Sequence, residues 1–196
     1  SASALSAVFA QVGAFAYLST ASRDAAIFLP QLHAGSYTVQ IGDNATGAGT
    51  ALAELYDATP SGSFTATTPR LINVSVLKHL GTGLTAGFVV GGTGSKTLLI
   101  RAIGPTVGAA PFNVAGVVTD PQLTLYSGQT SMGANNNWGG TAALTAAFSQ
   151  VGAFALPGTS RDAALLATLP PGNYTVLVSG VGGQTGVALI EVYEVP

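Results

Sequence analysis

Short runs of apolar and polar residues follow one another along the chain, and Gly, Pro and Asn separate them. Alternation with a period of two is visible in residues 122–126 (QLTLY) and 173–178 (NYTVLV), and it predicts strands with one buried face. Many short strands between turn residues are typical of an antiparallel β-sandwich. The predicted strands are 70–77, 84–91, 96–103, 121–127, 131–137, 162–168, 173–179 and 186–194.

One kind of segment follows a helical period instead. Residues 141–151 are rich in Ala and place apolar side chains, among them Leu144 and Phe148, on one helical face. This spacing predicts a short helix that ends at Gly152. Residues 4–12 have the same pattern, so we expect a second helix there.

The chain also repeats itself. Residues 4–16 (ALSAVFAQVGAFA) and 143–155 (ALTAAFSQVGAFA) differ at three of thirteen positions. Self-similarity of this kind indicates a repeated structural module. The match continues through three further pairs of segments, 22–26 with 160–164, 35–39 with 172–176, and 51–56 with 188–193.

The repeat predicts the domain organisation. Residues 1–60 are the second half of a module, 61–68 are a linker, and 69–196 are a complete module. We therefore expect an all-β protein made of jelly-roll-like antiparallel β-sandwich modules with one short helix per repeat. A half-module cannot bury its apolar face alone, so residues 1–60 need a neighbour to complete them.

Composition removes several classes of function. Hydrophobic residues make up 47% of the chain and charged residues only 7%, against about 25% in an ordinary soluble domain. The chain is too apolar to be intrinsically disordered in the way that highly charged sequences are. Its six Lys and Arg residues and its net charge of -2 give no basic surface for binding nucleic acid. No apolar run approaches the ~18 residues of a membrane span. There is no cysteine, hence no disulfide or thiol chemistry.

Three segments carry a family resemblance: residues 120–126 (DPQLTLY), 135–140 (NNNWGG) and 169–176 (LPPGNYTV). They resemble the bacterial pre-peptidase C-terminal domain, a jelly-roll-like β-sandwich of secreted enzymes and surface proteins. Residues 98–105 (LLIRAIGP) and 186–193 (GVALIEVY) resemble repeats of very large secreted bacterial surface proteins. The resemblance implies a secreted or cell-surface module without one fixed activity.

The resemblance also suggests a calcium site. Asp120 with Asn135, Asn136 and Asn137 offers oxygen ligands that calcium accepts, although this chain has amides where the family commonly has acidic residues. One carboxylate among three amides compensates the charge poorly, and a run of Asn is also typical of a turn. Calcium is therefore only a weak candidate, and we expect no other metal or cofactor.

Catalytic groups are scarce. His33 falls where the second copy of the repeat has Pro170 or Pro171, and His79 lies beside Lys78 near the end of a predicted strand. No set of nucleophile, base and orienting group stands out. We therefore predict no catalytic residue and no enzymatic activity. A buried Arg101 would need a carboxylate, which Glu191 or Asp120 could supply, or it could bind an anionic sugar. Trp138 could stack on a sugar or pack in the core.

Two functions remain. The first is a structural subunit or repeat of an extracellular filament or cell-surface array, in which copies of the chain complete one another head to tail. The alternative is a carbohydrate-binding or anchoring module of a secreted enzyme or surface protein, with cell-surface polysaccharide as its partner. The first residues, Ser1 to Ala4, fit a mature N-terminus left by signal cleavage and equally fit a fragment. Either function places the protein outside the cell.

Overall fold

The computed structural model describes residues 2–19, 21–42 and 49–196. The chain divides into two compact units, Ser1–Leu71 and Ile72–Pro196. The predicted linker at 61–68 lies just before this division. The extent of the linker stays a prediction, and so does the completion of residues 1–60 by a neighbour.

The second unit contains eight strands, and each corresponds to a predicted one within a few residues. Only the ends differ, chiefly in the first strand, which begins and ends three residues later than predicted. The strands are β1 (Asn73–Leu80), β2 (Leu84–Val90), β3 (Lys96–Ile103), β4 (Pro121–Ser127), β5 (Thr130–Asn135), β6 (Ala163–Leu169), β7 (Gly172–Gly180) and β8 (Gly186–Val195).

These strands form two four-stranded sheets, ordered β1-β8-β3-β6 and β2-β7-β4-β5. All neighbouring strands are antiparallel. This order is that of a jelly roll, so the predicted antiparallel β-sandwich is confirmed. A short glycine-rich loop between two strands is typical of a hairpin turn. Residues 91–96 instead cross from one sheet to the other, because β2 and β3 belong to different sheets.

The pairing interleaves the two halves of the module. We call residues 72–139, with β1–β5, the N-terminal half, and residues 140–196, with β6–β8, the C-terminal half. Within residues 72–196, β4 with β5 is the only pair of strands from the same half, and every other ladder joins one half to the other. No strand of the C-terminal half pairs with another strand of that half. This half therefore depends on the N-terminal half for all its sheet hydrogen bonds.

Two apolar cores lie on opposite faces of the sheet that contains β3. One fills the sandwich between the sheets and includes Leu98, Ile100 and Ala102 of β3. The other covers the outer face, where Leu99 and Ile103 of the same strand pack with the helix that follows β5. Because residues 98–103 of β3 are buried on both faces, this part of the strand is an apolar run interrupted by one arginine.

The predicted helix of the second unit is present as α3 (Ala142–Val151). Thr141 caps its first turn, since the Thr141 hydroxyl accepts a hydrogen bond from Leu144 N. Gly152 ends it in the left-handed conformation at φ 70°. A four-residue helix, α2 (Pro105–Gly108), is not expected from the sequence. A 3-10 turn (Val181–Gly183) joins β7 to β8, where the sequence predicts a turn.

The first unit has a different character. It contains α1 (Ala2–Val12), which is the second predicted helix, and a 3-10 turn (Ser61–Ser63). Among residues 2–19, 21–42 and 49–71, none is in a strand. Of the helices in the described part of the chain, none has the length and apolar character needed to cross a membrane.

Candidate interaction site

Arg101 lies on β3 and is fully buried. Its Nε donates to a carboxylate oxygen of Glu191 at 2.8 Å, and its Nη2 donates to the same oxygen. Nη1 donates to the Phe154 carbonyl at 2.6 Å. The guanidinium also lies near the rings of Phe148, Phe154 and Tyr193, at 4.9, 4.4 and 5.8 Å from their centroids. The C-terminal half thus supplies both the counter-charge and the aromatic faces.

The sequence offers two carboxylates as partners for Arg101, and the strand register decides between them. Arg101 stands directly opposite Glu191 in the β3–β8 ladder. The Tyr193 hydroxyl donates to the other oxygen of Glu191 at 2.8 Å. Burial, and then the hydrogen bond to Glu191, raise the pKa of Tyr193 to about 12.

Asp162 holds the turn that follows β3. This fully buried carboxylate accepts hydrogen bonds from Gly104 N at 2.9 Å and from Thr106 N at 3.4 Å. It also accepts from the Thr106 hydroxyl. Two buried carboxylates of the C-terminal half therefore bind one continuous segment of the N-terminal half, from Arg101 to Thr106. The sequence shows Asp162 only as a repeated residue, with no sign of this role.

Asp120 forms a third polar contact between the halves. Its Oδ2 accepts from Arg161 Nη1 at 3.2 Å, while its buried Oδ1 has no hydrogen-bond partner among the described residues. Asn135, another calcium candidate, is held elsewhere: its amide accepts from Ala164 N and donates to the Asn137 carbonyl, both at 3.0 Å.

The other calcium candidates, Asn136 and Asn137, have exposed side chains. In the described part of the chain, no three His, Asp or Glu side chains are grouped so that they could hold a metal ion. The calcium site stays a prediction.

The remaining candidates occupy structural or exposed positions. Trp138 is 5% exposed, packs against Phe148 at 5.3 Å, and donates from Nε1 to the Pro157 carbonyl at 2.9 Å. It is a core residue. His79 lies exposed on β1, and the backbone carbonyl of His33 accepts from the Tyr37 hydroxyl at 2.8 Å.

In the first unit, the residues that correspond to the C-terminal half expose their apolar side chains. We call residues 1–60 the half-module. Val39 and Ile41 are 67% and 61% exposed, whereas the equivalent Val176 and Val178 are both fully buried. Other exposed apolar residues of the half-module are Phe15, Leu18, Ile27, Phe28, Leu29, Leu32, Tyr37, Leu52, Leu55 and Tyr56.

The half-module nevertheless has the local hydrogen bonds of its counterpart. Tyr37 donates to the carbonyl four residues before it, as Tyr174 does, and both distances are 2.8 Å. Tyr56 donates to Glu54 at 3.1 Å, as Tyr193 does to Glu191. These two local hydrogen bonds therefore form in residues 1–60, although none of the described residues there is in a strand.

Comparison with solved structures gives a likeness of fold. No family model and no curated protein matches the chain. The chain is similar to the solved pre-peptidase C-terminal domain of a collagenase from Bacillus anthracis. The match has 12% identity and a TM-score of 0.38, and it covers 62% of this chain and 89% of that domain.

Proposed function

We propose that the protein is a structural module of an extracellular or cell-surface array, and that the half-module joins neighbours by completing an N-terminal half of the same module type. One observation carries this proposal. The segments 25–31, 35–42 and 49–58 match β6, β7 and β8 in sequence, yet none of their described residues is in a strand. In the complete module, those strands pair only with strands of the other half.

Burial of the exposed apolar side chains of the half-module would drive its association with a neighbour. Burying one side chain of the size of Val39 or Ile41 contributes roughly 1.5–3 kcal/mol, and the half-module exposes many of them. The backbone N–H and C=O groups of the segments that match strands can also form hydrogen bonds with the strands of a neighbour. The low charge of the chain leaves little repulsion between assembled copies.

The strand pairing limits which segments can complete the half-module in a head-to-tail assembly. In residues 72–196, the strands of the N-terminal half are already paired with those of the C-terminal half. Each copy of these 196 residues thus holds one N-terminal half and two sequences of the C-terminal type. Identical copies alone would leave the half-modules unpaired, so we propose that the array contains further N-terminal halves.

The polysaccharide alternative has less support. It relied mainly on Trp138 as a stacking surface, and Trp138 is buried in the outer core. A location outside the cell belongs to the proposal and is supported by the family resemblance of the sequence.

Adding a free N-terminal half tests the assembly. A chain in which residues 61–139 are repeated after Pro196 carries a half-module at one end and a free N-terminal half at the other. Each copy can then complete the next, a heterologous contact that does not close and therefore builds filaments. Electron microscopy and sedimentation should show filaments that lengthen with concentration.

The matched control has the same extension but begins at Ser63, within the predicted linker, and so lacks the half-module. It should not form filaments. A monodisperse monomer of the first chain, with residues 25–58 still exchanging their amide hydrogens freely, would contradict the proposal.

A further inference from the structure

The polar contacts between the halves of the complete module amount to a recognition pattern. The C-terminal half binds Arg101 through Glu191 and three aromatic rings, and it binds the backbone of Gly104 and Thr106 through Asp162. It binds Asp120 through Arg161. The C-terminal half therefore recognises one cation, two backbone N–H groups, one hydroxyl and one carboxylate of the N-terminal half.

Each recognising residue has an identical counterpart in the half-module. Glu54 corresponds to Glu191, and Asp24 to Asp162. The remaining counterparts are Phe9 for Phe148, Phe15 for Phe154, Tyr56 for Tyr193 and Arg23 for Arg161. The half-module thus contains the whole recognising set.

Its ligands, however, are missing from the described structure of the first unit. Glu54 accepts a hydrogen bond from Tyr56, and Asp24 one from the Ser22 hydroxyl. Both carboxylates are exposed, and the only Lys or Arg in residues 1–60 is Arg23. The half-module thus has the counterparts of the carboxylate and the aromatic rings that bind Arg101, but residues 1–60 contain no counterpart of Arg101 itself.

We propose that the half-module is an arginine-strand receptor, and that its occupant is an N-terminal half with Arg at the position of Arg101 and Asp at the position of Asp120. This deepens the proposed function and rests on it. In the complete module, β3 lies between β6 and β8. The occupying strand accordingly inserts between residues 25–31 and 49–58, where its arginine meets Glu54 and the turn after it meets Asp24.

Charge complementarity separates this occupant from a generic apolar strand. When a strand binds, Glu54 becomes buried, and a buried carboxylate without a cation is strongly destabilising. A strand without the arginine is therefore disfavoured at this site, and a strand with the arginine is disfavoured at a site without the glutamate. A folded second copy of this chain does not qualify, because its Arg101 is already fully buried against its own Glu191.

The repeat alignment defines the test. Ser1 corresponds to Gly140, so a second copy of residues 72–139 placed directly before Ser1 restores the natural order of a complete module. Hydrogen exchange of residues 25–42 and 49–58 is measured in this extended chain, with residues 172–195 of the same molecule as the internal reference. The added half should slow exchange of the half-module by about 1000-fold or more.

The charge pair is then removed from either side. In the extended chain, Glu54→Gln alone, or Arg101→Met in the added half alone, should each reduce the protection by about 100-fold or more, because each leaves a buried charge without a partner. Both substitutions together should cost less than the sum of the two. Glu54→Gln in the chain without the extension should change nothing.

The outcomes separate the two proposals. If the added half protects residues 25–58 equally well with Glu54→Gln, the arginine receptor is wrong and strand completion stands. If the added half gives no protection, both are wrong. If either single variant leaves the half-module unprotected altogether, recovery of protection in the double variant supports the receptor, and no recovery overturns it.

Discussion

The two copies of the C-terminal half have closely similar sequences and different structures. In residues 140–196, the segments form three strands, and Val176 and Val178 are fully buried. In residues 1–60, the helix and the local tyrosine hydrogen bonds form, but no described residue is in a strand. The helix and turns are encoded by neighbouring residues, whereas each strand requires partners from the other half.

The largest predicted contrast is in hydrogen exchange. In the chain as it is, amides of residues 174–178 should exchange only when the module unfolds, because β7 is paired on both sides by β2 and β4. Amides of residues 37–41 lack such pairing. For an ordinary stability of about 5 kcal/mol or more, the two segments should differ by at least about 1000-fold. Similar rates, measured by mass spectrometry on the two peptides, would contradict the comparison.

The next contrast concerns the two equivalent glutamates. Glu191→Gln leaves Arg101 buried without a counter-charge and should lower the free energy of unfolding by about 3–5 kcal/mol. Glu54→Gln, at an exposed position, should change it by less than about 0.5 kcal/mol. Denaturant unfolding followed by fluorescence reports on the second unit, because its Trp138 is the only tryptophan. An equal effect of the two substitutions would show that Arg101 is not held as described.

Much of this fold can be predicted from the sequence because its signals are local. The strand β4 alternates, α3 has helical spacing, and Gly152 is suited to the left-handed cap that it forms. The short α2 has only four residues and therefore no period to detect. Sheet membership is a tertiary property, which is why residues 91–96 resemble a hairpin turn although they join different sheets.

The candidate site is predictable only in part, for a similar reason. The sequence indicates that a buried Arg101 needs a carboxylate, but the choice between Glu191 and Asp120 depends on strand register. The role of Asp162 depends on the approach of two segments 58 residues apart. The repeat does predict that residues 1–60 have no N-terminal half within this sequence to pair with, because the sequence itself shows one N-terminal half and two copies of the C-terminal half.

A smaller contrast concerns two equivalent valines. Val176→Ala removes two methyl groups from the fully buried core, which should cost about 2 kcal/mol of unfolding free energy through lost burial and the cavity left behind. Val39→Ala acts on a side chain that is 67% exposed and should leave the unfolding of the second unit unchanged. Thermal unfolding of the two variants checks this, and a loss on Val39→Ala would mean that Val39 is packed.

The smallest contrast is between two tyrosines at high pH. Tyr193 and Tyr56 both donate to a glutamate, and both pKa values are raised, by burial first and by that glutamate second. The pKa of Tyr193 reaches about 12 from an ordinary value of 10.0. Tyr56 is 42% exposed, so its ionisation should have little influence on the folded second unit.

The direction of the pH effect follows from which state keeps the proton. Between pH 10 and about 12, the unfolded chain ionises Tyr193 while the folded chain keeps it neutral, so rising pH favours unfolding. This contribution is fully present below pH 10 and is lost by about pH 12. The denaturation midpoint followed at Trp138 should therefore fall less steeply over this range in Tyr193→Phe than in the unmodified chain. In the matched control Tyr56→Phe, the midpoint should fall as steeply as in the unmodified chain. Identical slopes in all three proteins would place the Tyr193 hydroxyl in solvent rather than against Glu191.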